Sequence, residues 1–313
     1  MELIRGLQNI RPQHHGCVAT IGNFDGVHLG HQAVLGQLAE KAAELCLPTV
    51  LMTFEPQPME YFVPDKVPAR LTRFREKILA LQRYSVDRVC CLSFNDKLAN
   101  LSAQDFIKQI LVEKLGVKYL VVGDDFRFGQ NRTGTFGMLV EAGKEYGFQV
   151  VSMHTFEIDA ERVSSTRIRT SLENGDMANA EKLLGRRYRM SGRVAHGEKL
   201  GRELGFPTAN IHLHRHASAI QGIFVVEVFG LDMFGQYKQP IQGVASVGTR
   251  PTVNETKALL EVFLLDFDQD IYGKHIQVSF LKKLRDEEKF DSLEKLTQQI
   301  QLDVEQAQAY FAA

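Results

Sequence analysis

Between residues 22 and 31 the chain reads Gly-Asn-Phe-Asp-Gly-Val-His-Leu-Gly-His, which sets two imidazoles, His28 and His31, among Gly22, Phe24, Asp25, Gly26 and Gly30. Glycine lets backbone approach a ligand closely, and a helix N-terminus presents N–H groups to anions. Imidazoles three residues apart on such a turn can donate hydrogen bonds to the same phosphate oxygens. The apolar run 18–21 before the turn reads as a strand, and a helical pattern opens near Gln32. The chemistry implied is the binding and reaction of a nucleotide's phosphates.

Three other segments carry comparable chemistry. Gly123-Asp124-Asp125-Phe126-Arg127-Phe128-Gly129 follows a strand ending in Val121-Val122. Its carboxylates, arginine and aromatics suit recognition of a ring with a phosphate, or a salt-bridged turn. Ser164-Ser165-Thr166-Arg167-Ile168-Arg169 opens a helix running to about Glu173. The hydroxyls of Ser164 and Thr166 serve as caps or as phosphate ligands, and Arg169 favours phosphate. The run 197–210 contains Gly197, Lys199, Gly201, Arg202, Gly205, Pro207, Thr208 and Asn210. Its glycines permit a tight loop over phosphates, and the hydroxyl and amide carbonyl are hard oxygen donors of the kind Mg²⁺ prefers. No GxxxxGK[ST] is present, so this is not a P-loop.

These residues need elements to hold them. Candidate strands at 18–21, 49–54, 88–94, 119–123 and 149–153 alternate with helical spacings, such as Val34, Leu35, Leu38, Ala42 and Leu45. A second spacing, Phe106, Ile107, Ile110, Leu111 and Leu115, has Ser102 as its N-cap. Alternation of this kind predicts a parallel sheet covered by helices, with ligands at the carboxyl ends of the strands. After about Gly185 the pattern changes to short strand-like runs at 222–228, 259–264 and 276–280, with turns at 232–235 and 268–270. That predicts an antiparallel barrel or sandwich. The stretch from Ser292 to Phe311 reads as an amphipathic helix with Leu293, Leu296, Ile300 and Val304 inward.

A chain of 313 residues can bury two cores, and 44% hydrophobic with 24% charged residues is ordinary for a globular protein. A formal net charge of -1 supplies no global field toward nucleic acid or anionic lipid. Cys17, Cys46, Cys90 and Cys91 form no CxxC pair, which predicts neither disulfide framework nor zinc site and fits a reducing compartment. With no membrane-length apolar run, the expectation is a cytoplasmic protein, monomeric or a weak homo-oligomer, without nucleic-acid or membrane partners.

His28-Leu29-Gly30-His31 matches the HxGH signature of nucleotidyltransferases. Over nearly the whole chain, the order and spacing of these segments resemble the bacterial bifunctional riboflavin kinase/FAD synthetases. The likeness extends to Phe54-Glu55-Pro56-Gln57-Pro58, to 243–252, to Glu261 with Asp266-Phe267, to Tyr272-Gly273-Lys274 and to 281–290. Gln57 stands where that family commonly has histidine, so position 57 receives no catalytic role. Ser246 stands where asparagine is more frequent.

The resemblance implies an α/β fold: a Rossmann-like nucleotidyltransferase domain with a parallel sheet over 1–185. A riboflavin kinase-like antiparallel β-barrel ending in an α-helix follows over 186–313. It implies ATP-dependent phosphorylation of riboflavin to FMN, then adenylylation of FMN to FAD with release of pyrophosphate. His28, His31 and Arg169 would stabilise the transferring phosphates. Gly22, Phe24, Asp25, Gly26, Gly30, Asp125, Phe126, Arg127, Ser164 and Thr166 would bind nucleotide or flavin. In the second domain Glu261 would be the general base, Thr208 and Asn210 would hold Mg²⁺, and Gly197, Lys199, Gly201, Arg202, Gly205, Pro207 and Arg285 would line the substrates. Three other readings compete: an adenylyltransferase for another mononucleotide, a kinase whose first domain only binds, and a flavin carrier without turnover.

Overall fold

The amino-terminal strands read as near-continuous apolar runs because both their faces are covered. A computed structural model describes the chain except residues 124, 154–155, 198–200, 202–203, 214–216, 232–238 and 252–255; for 249–251 and 256–257 the backbone alone is described. Packing divides the chain into two units, Met1–Val67 with Arg73–Val163, and Pro68–Thr72 with Ser164–Ala313.

In chain order the first unit contains β1 (Glu2–Arg5), β2 (Cys17–Ile21), α1 (Leu29–Leu45), β3 (Thr49–Phe54), α2 (Pro58–Phe62), α3 (Phe74–Leu81) and β4 (Arg88–Leu92). It continues with α4 (Asp96–Ala99), α5 (Ala103–Asp105), β5 (Val117–Val122), α6 (Phe136–Tyr146), β6 (Gln149–Ser152) and a hairpin of β7 (Glu157–Ile158) and β8 (Glu161–Arg162). Six strands form one parallel sheet in the order β1-β4-β3-β2-β5-β6. From β2 the chain builds one way to β3 and β4, then returns to add β5 on the other side of β2. The carboxyl ends of β2 and β5 therefore flank the topological switch point, where open α/β sheets bind their ligands.

Each sheet face has its own core. Met52, Phe54, Leu92 and Val122 pack with Phe106, Ile110, Leu111 and Leu139 on one side. Val18, Leu51, Val89 and Val121 pack with Val34, Leu35, Leu38 and Leu81 on the other. Ser102 caps its helix as expected, accepting from the Asp105 N–H, but 106–114 winds as a π-helix. Helix α1 starts at Leu29, earlier than the expected onset near Gln32, because His28 supplies the cap. Leu45, expected inward, is 39% exposed at the last turn. Edge strand β1 was not legible: four residues are too short to show a period.

The second unit contains α7 (Ser165–Glu173), α8 (Met177–Leu184), β9 (Arg189–Ala195), β10 (Thr208–His212), β11 (Gly222–Phe229), β12 (Ile241–Pro251), β13 (Thr256–Leu264), β14 (His275–Arg285) and α9 (Leu293–Ala312). Its six strands close as β10-β13-β12-β11-β14-β9, which decides for a barrel over a sandwich. Closure removes exposed strand edges. Alternation assigns the faces: Ala209, Val262, Ala245 and Phe224 stand in register and are buried in the barrel. Their neighbours Glu261 and Phe263 face outward, under α9. That helix lays Val304 and Ala307 on Ile223, Val225 and Val244, whereas Leu293, expected inward, is 57% exposed beside the cap Ser292. The turn expected at 232–235 lies outside the described residues.

Candidate active sites

In the first unit, β2 delivers the chain into a loop with three left-handed residues, Phe24 at φ 48, Gly26 at φ 85 and Val27 at φ 43. The loop closes at His28, whose Nδ1 accepts the His31 backbone N–H at 3.3 Å and so caps α1. An accepting Nδ1 puts the proton of the neutral ring on Nε2. The His28 and His31 rings stack with centroids 3.7 Å apart and an interplanar angle of 18°. Phe24 lies against His31, 4.6 Å away between centroids. A Cβ at Gly30 would stand 3.2 Å from the His28 ring, so the bare backbone there lets the imidazole sit over the first turn. Asp25 and His28 are both buried, and Gly22, half-buried, leads off β2 with its N–H on the Met52 carbonyl.

The loop after β5 lies beside this turn on the same sheet edge, since β5 pairs with β2. Asp124 lies outside the described residues. Exposed Asp125 pairs with Arg162 of β8 at 3.2 Å, not with Arg127. Arg127 is exposed, and one of its guanidinium nitrogens donates to the Phe126 carbonyl at 3.3 Å. Phe126 is half-buried and stacked on Phe128 at 5.6 Å. At the carboxyl end of β3, Gln57 is buried at the start of α2, with the Glu60 carboxylate accepting its backbone N–H at 2.8 Å.

Sequence reading missed Lys77 in this unit. Its Nζ donates to the Asn23 carbonyl at 2.6 Å, within the loop between β2 and α1. The available signal was a lysine on the inward stripe of α3, beside Ile78 and Leu81.

In the second unit, Ser164 caps α7 by accepting from the Arg167 N–H at 3.2 Å. Thr166 is exposed on the first turn. Arg169 is half-buried and its Nε donates to the Ala69 carbonyl at 2.6 Å, which ties 68–72 into this unit.

The barrel brings the remaining residues together by strand register. Asn210 stands opposite Glu261, and Glu261 opposite Ser246. Thr208 stands opposite Phe263, and Phe263 opposite Val244. Residues paired across antiparallel strands share a face, so two rows of three form one wall. All six line a cavity of about 250 Å³ beneath α9, with Phe206, Leu296 and Ile300 adding apolar surface. Thr208 and Pro207 also line a second cavity of about 500 Å³, bounded by Ala209, Phe267 and Tyr272. Thr208 thus belongs to the walls of both.

Gly197 packs against the site residue Asn210: a Cβ there would lie 2.3 Å from the Asn210 Nδ2. Gly201 lines the smaller cavity and Gly205 turns the chain into Phe206-Pro207. Lys199 and Arg202 lie outside the described residues. Arg285 lines the smaller cavity, and its guanidinium grips Asp303 of α9 through two bonds, Nε to Oδ1 at 2.9 Å and Nη2 to Oδ2 at 2.7 Å. Asp303, only 3% exposed, was not legible as a site residue, although it falls three residues after Ile300 on the inward stripe.

No group of three or more His, Cys, Asp or Glu suited to a metal occurs among the described residues. Thr208 and Asn210 offer a hydroxyl and an amide carbonyl two residues apart on one strand face, next to a carboxylate. Such donors fit a hard divalent cation that keeps several waters.

A glycine–histidine turn at a sheet switch point, and a carboxylate beside hard oxygen donors on a barrel, are features suited to a nucleotide-using transferase. A FAD synthetase family model matches residues 10–167, and a riboflavin kinase model matches residues 184–311. The chain belongs to the bifunctional riboflavin kinase/FMN adenylyltransferase family. The relative of that name from Escherichia coli strain K12 is 50% identical over 99% of this chain and 98% of its own length. The one from Pseudomonas fluorescens is 51% identical over 100% of this chain and 98% of its own. A crystal structure named as a macrolide-efflux protein from Streptococcus pneumoniae is similar with a TM-score of 0.82 and 32% identity, over 98% of this chain and 99% of that one. Among the described residues here, no helix is long and apolar enough to cross a membrane.

Proposed function

We propose that residues 186–313 phosphorylate riboflavin with ATP to give FMN and ADP. Residues 1–185 then join FMN to AMP from a second ATP, giving FAD and pyrophosphate. The observation that carries the kinase half is the row Asn210–Glu261–Ser246, with Thr208 in the walls of two cavities. A cavity with apolar walls suits a flavin, and the second cavity suits a nucleotide. Glu261 takes the proton of the ribityl 5′-hydroxyl as its oxygen attacks the γ-phosphorus and ADP leaves. Thr208 and Asn210 would hold Mg²⁺, which neutralises phosphate charge when bound. Gly197, Lys199, Gly201, Arg202, Gly205, Pro207 and Arg285 would bind nucleotide or flavin.

The adenylyl step needs no strong base. A phosphate monoester has its second pKa at about 6, so FMN already carries the attacking oxygen as a dianion near neutrality. That oxygen attacks the α-phosphorus of ATP, and pyrophosphate leaves. His28, His31 and Arg169 stabilise the charge, while Gly22, Phe24, Asp25, Gly26, Gly30, Asp125, Phe126, Arg127, Ser164 and Thr166 position nucleotide and flavin. The reading takes the protein as cytoplasmic and as a monomer or weak homo-oligomer, and a net charge of -1 supports the absence of nucleic-acid partners.

Incubation with riboflavin, ATP and Mg²⁺, followed by chromatography, is expected to yield FMN and then FAD. Absence of both products under oxidising and reducing conditions overturns the reading. Adenylylation of nicotinamide mononucleotide or phosphopantetheine in preference to FMN overturns the substrate assignment alone.

A further inference from the structure

Lys77 is 0% exposed, although lysine is among the residues least often found fully buried. It sits on the face of α3 that packs into the core of the first unit, beside Ile78 and Leu81. A methionine there would fill the same length without desolvating a polar head. The lysine head instead reaches the Asn23 carbonyl at 2.6 Å. That carbonyl belongs to the peptide leading into Phe24, where the left-handed stretch begins: Phe24 at φ 48, Gly26 at φ 85, Val27 at φ 43. Two of these are non-glycine residues in a sparsely populated conformation, which persists only where the surroundings over-determine it. Lys77 is one such determinant, bonding the start of the loop while His28 anchors its far end as the cap of α1.

We infer that Lys77 is a positioning residue for the adenylyl transfer: through the Asn23 carbonyl it holds the 22–28 loop in the shape that receives the phosphates of ATP. The inference rests on the adenylyltransferase reading. It assigns Lys77 no contact with substrate and no proton transfer. Its effect falls on ATP, because the glycine–histidine turn that Lys77 restrains is the phosphate-binding element of the proposed function.

The test is Lys77→Met in the full-length chain, with FAD formation measured against ATP at saturating FMN and against FMN at saturating ATP. The expected result is a kcat/KM for ATP lowered about 100-fold, the scale of a roughly 1 Å misplacement in a reaction site, with FMN KM within about twofold. Riboflavin phosphorylation by the same molecule stays unchanged. Amide exchange over 22–28 accelerates while β2 and β3 remain protected. An unchanged kcat/KM for ATP overturns the inference. So does an equal loss against both substrates accompanied by loss of sheet protection, which marks Lys77 as part of the fold only. Wild-type protein that makes no FAD from FMN refutes the adenylyltransferase reading itself, before any variant is compared.

Discussion

At the scale of residues, the two candidate sites differ in what their side chains supply. The His28 ring caps α1: Nδ1 accepts the His31 N–H, and the tautomer this selects carries its proton on Nε2, the atom that would serve the phosphate role proposed for it. Glu261, the base of the proposed kinase step, stands in register between an amide and a hydroxyl on neighbouring strands. His28→Ala is therefore expected to abolish FAD formation, at a stability cost of about 1 kcal/mol for the lost cap, while FMN still accumulates. Glu261→Gln keeps the shape of the wall but removes the base. It is expected to slow FMN formation by about 100- to 10,000-fold and to spare adenylylation of supplied FMN. Chromatography of both products on both variants checks the pair. If each substitution removes both activities in folded protein, the division of labour fails.

At the scale of elements, α9 closes the smaller barrel cavity, and a buried ion pair fastens it. Asp303 accepts two bonds from Arg285, at the end of β14, and a third from Gln299 at 3.1 Å. Its side chain is 4% exposed, so this pair is screened far less than a surface salt bridge. Removing one partner leaves the other charge buried without its counter-ion, which costs about 3 kcal/mol or more. Asp303→Asn is expected to lower the Tm and raise the riboflavin KM while sparing FMN adenylylation. Calorimetry with steady-state kinetics on both reactions checks this. A variant with wild-type Tm and riboflavin KM shows that the pair does not hold the helix to the site.

At the scale of the whole molecule, thiol chemistry follows burial. Cys17, Cys90 and Cys91 are buried and Cys46 is exposed, all as free thiols. Burial pushes the Cys17 and Cys90 thiols up to about 12 from the ordinary value of 9.0. Iodoacetamide at about pH 8 is expected to label one thiol per folded chain, at Cys46, as read by mass spectrometry, because the thiolate is the nucleophile. The sign of the pH dependence is also set. Between 9.0 and about 12 the unfolded thiols release protons that the folded protein retains. These residues' contribution is complete below pH 9.0 and is lost as pH rises toward 12. Tm measured upward from pH 8 is expected to decline through that window. A Tm that rises there contradicts the assignment.

Period and turn chemistry made much of this chain legible by itself. Apolar runs alternating with helical spacings announced the central strands, and Ser102, Ser164 and Ser292 announced helix starts, because those signals are local. The glycine–histidine turn and the 197–210 segment announced phosphate chemistry for the same reason, and their order along the chain carried the family resemblance. What depended on tertiary structure was juxtaposition. Strand order placed the loops after β2 and β5 at one switch point, and barrel register set Asn210 and Ser246 on either side of Glu261. Lys77 and Asp303 read as ordinary charges on helices, because their roles depend on a carbonyl 54 residues away and a guanidinium 18 residues away. A sequence pattern records which way a side chain faces. Only the folded chain supplies the partner that makes burying a charge worthwhile.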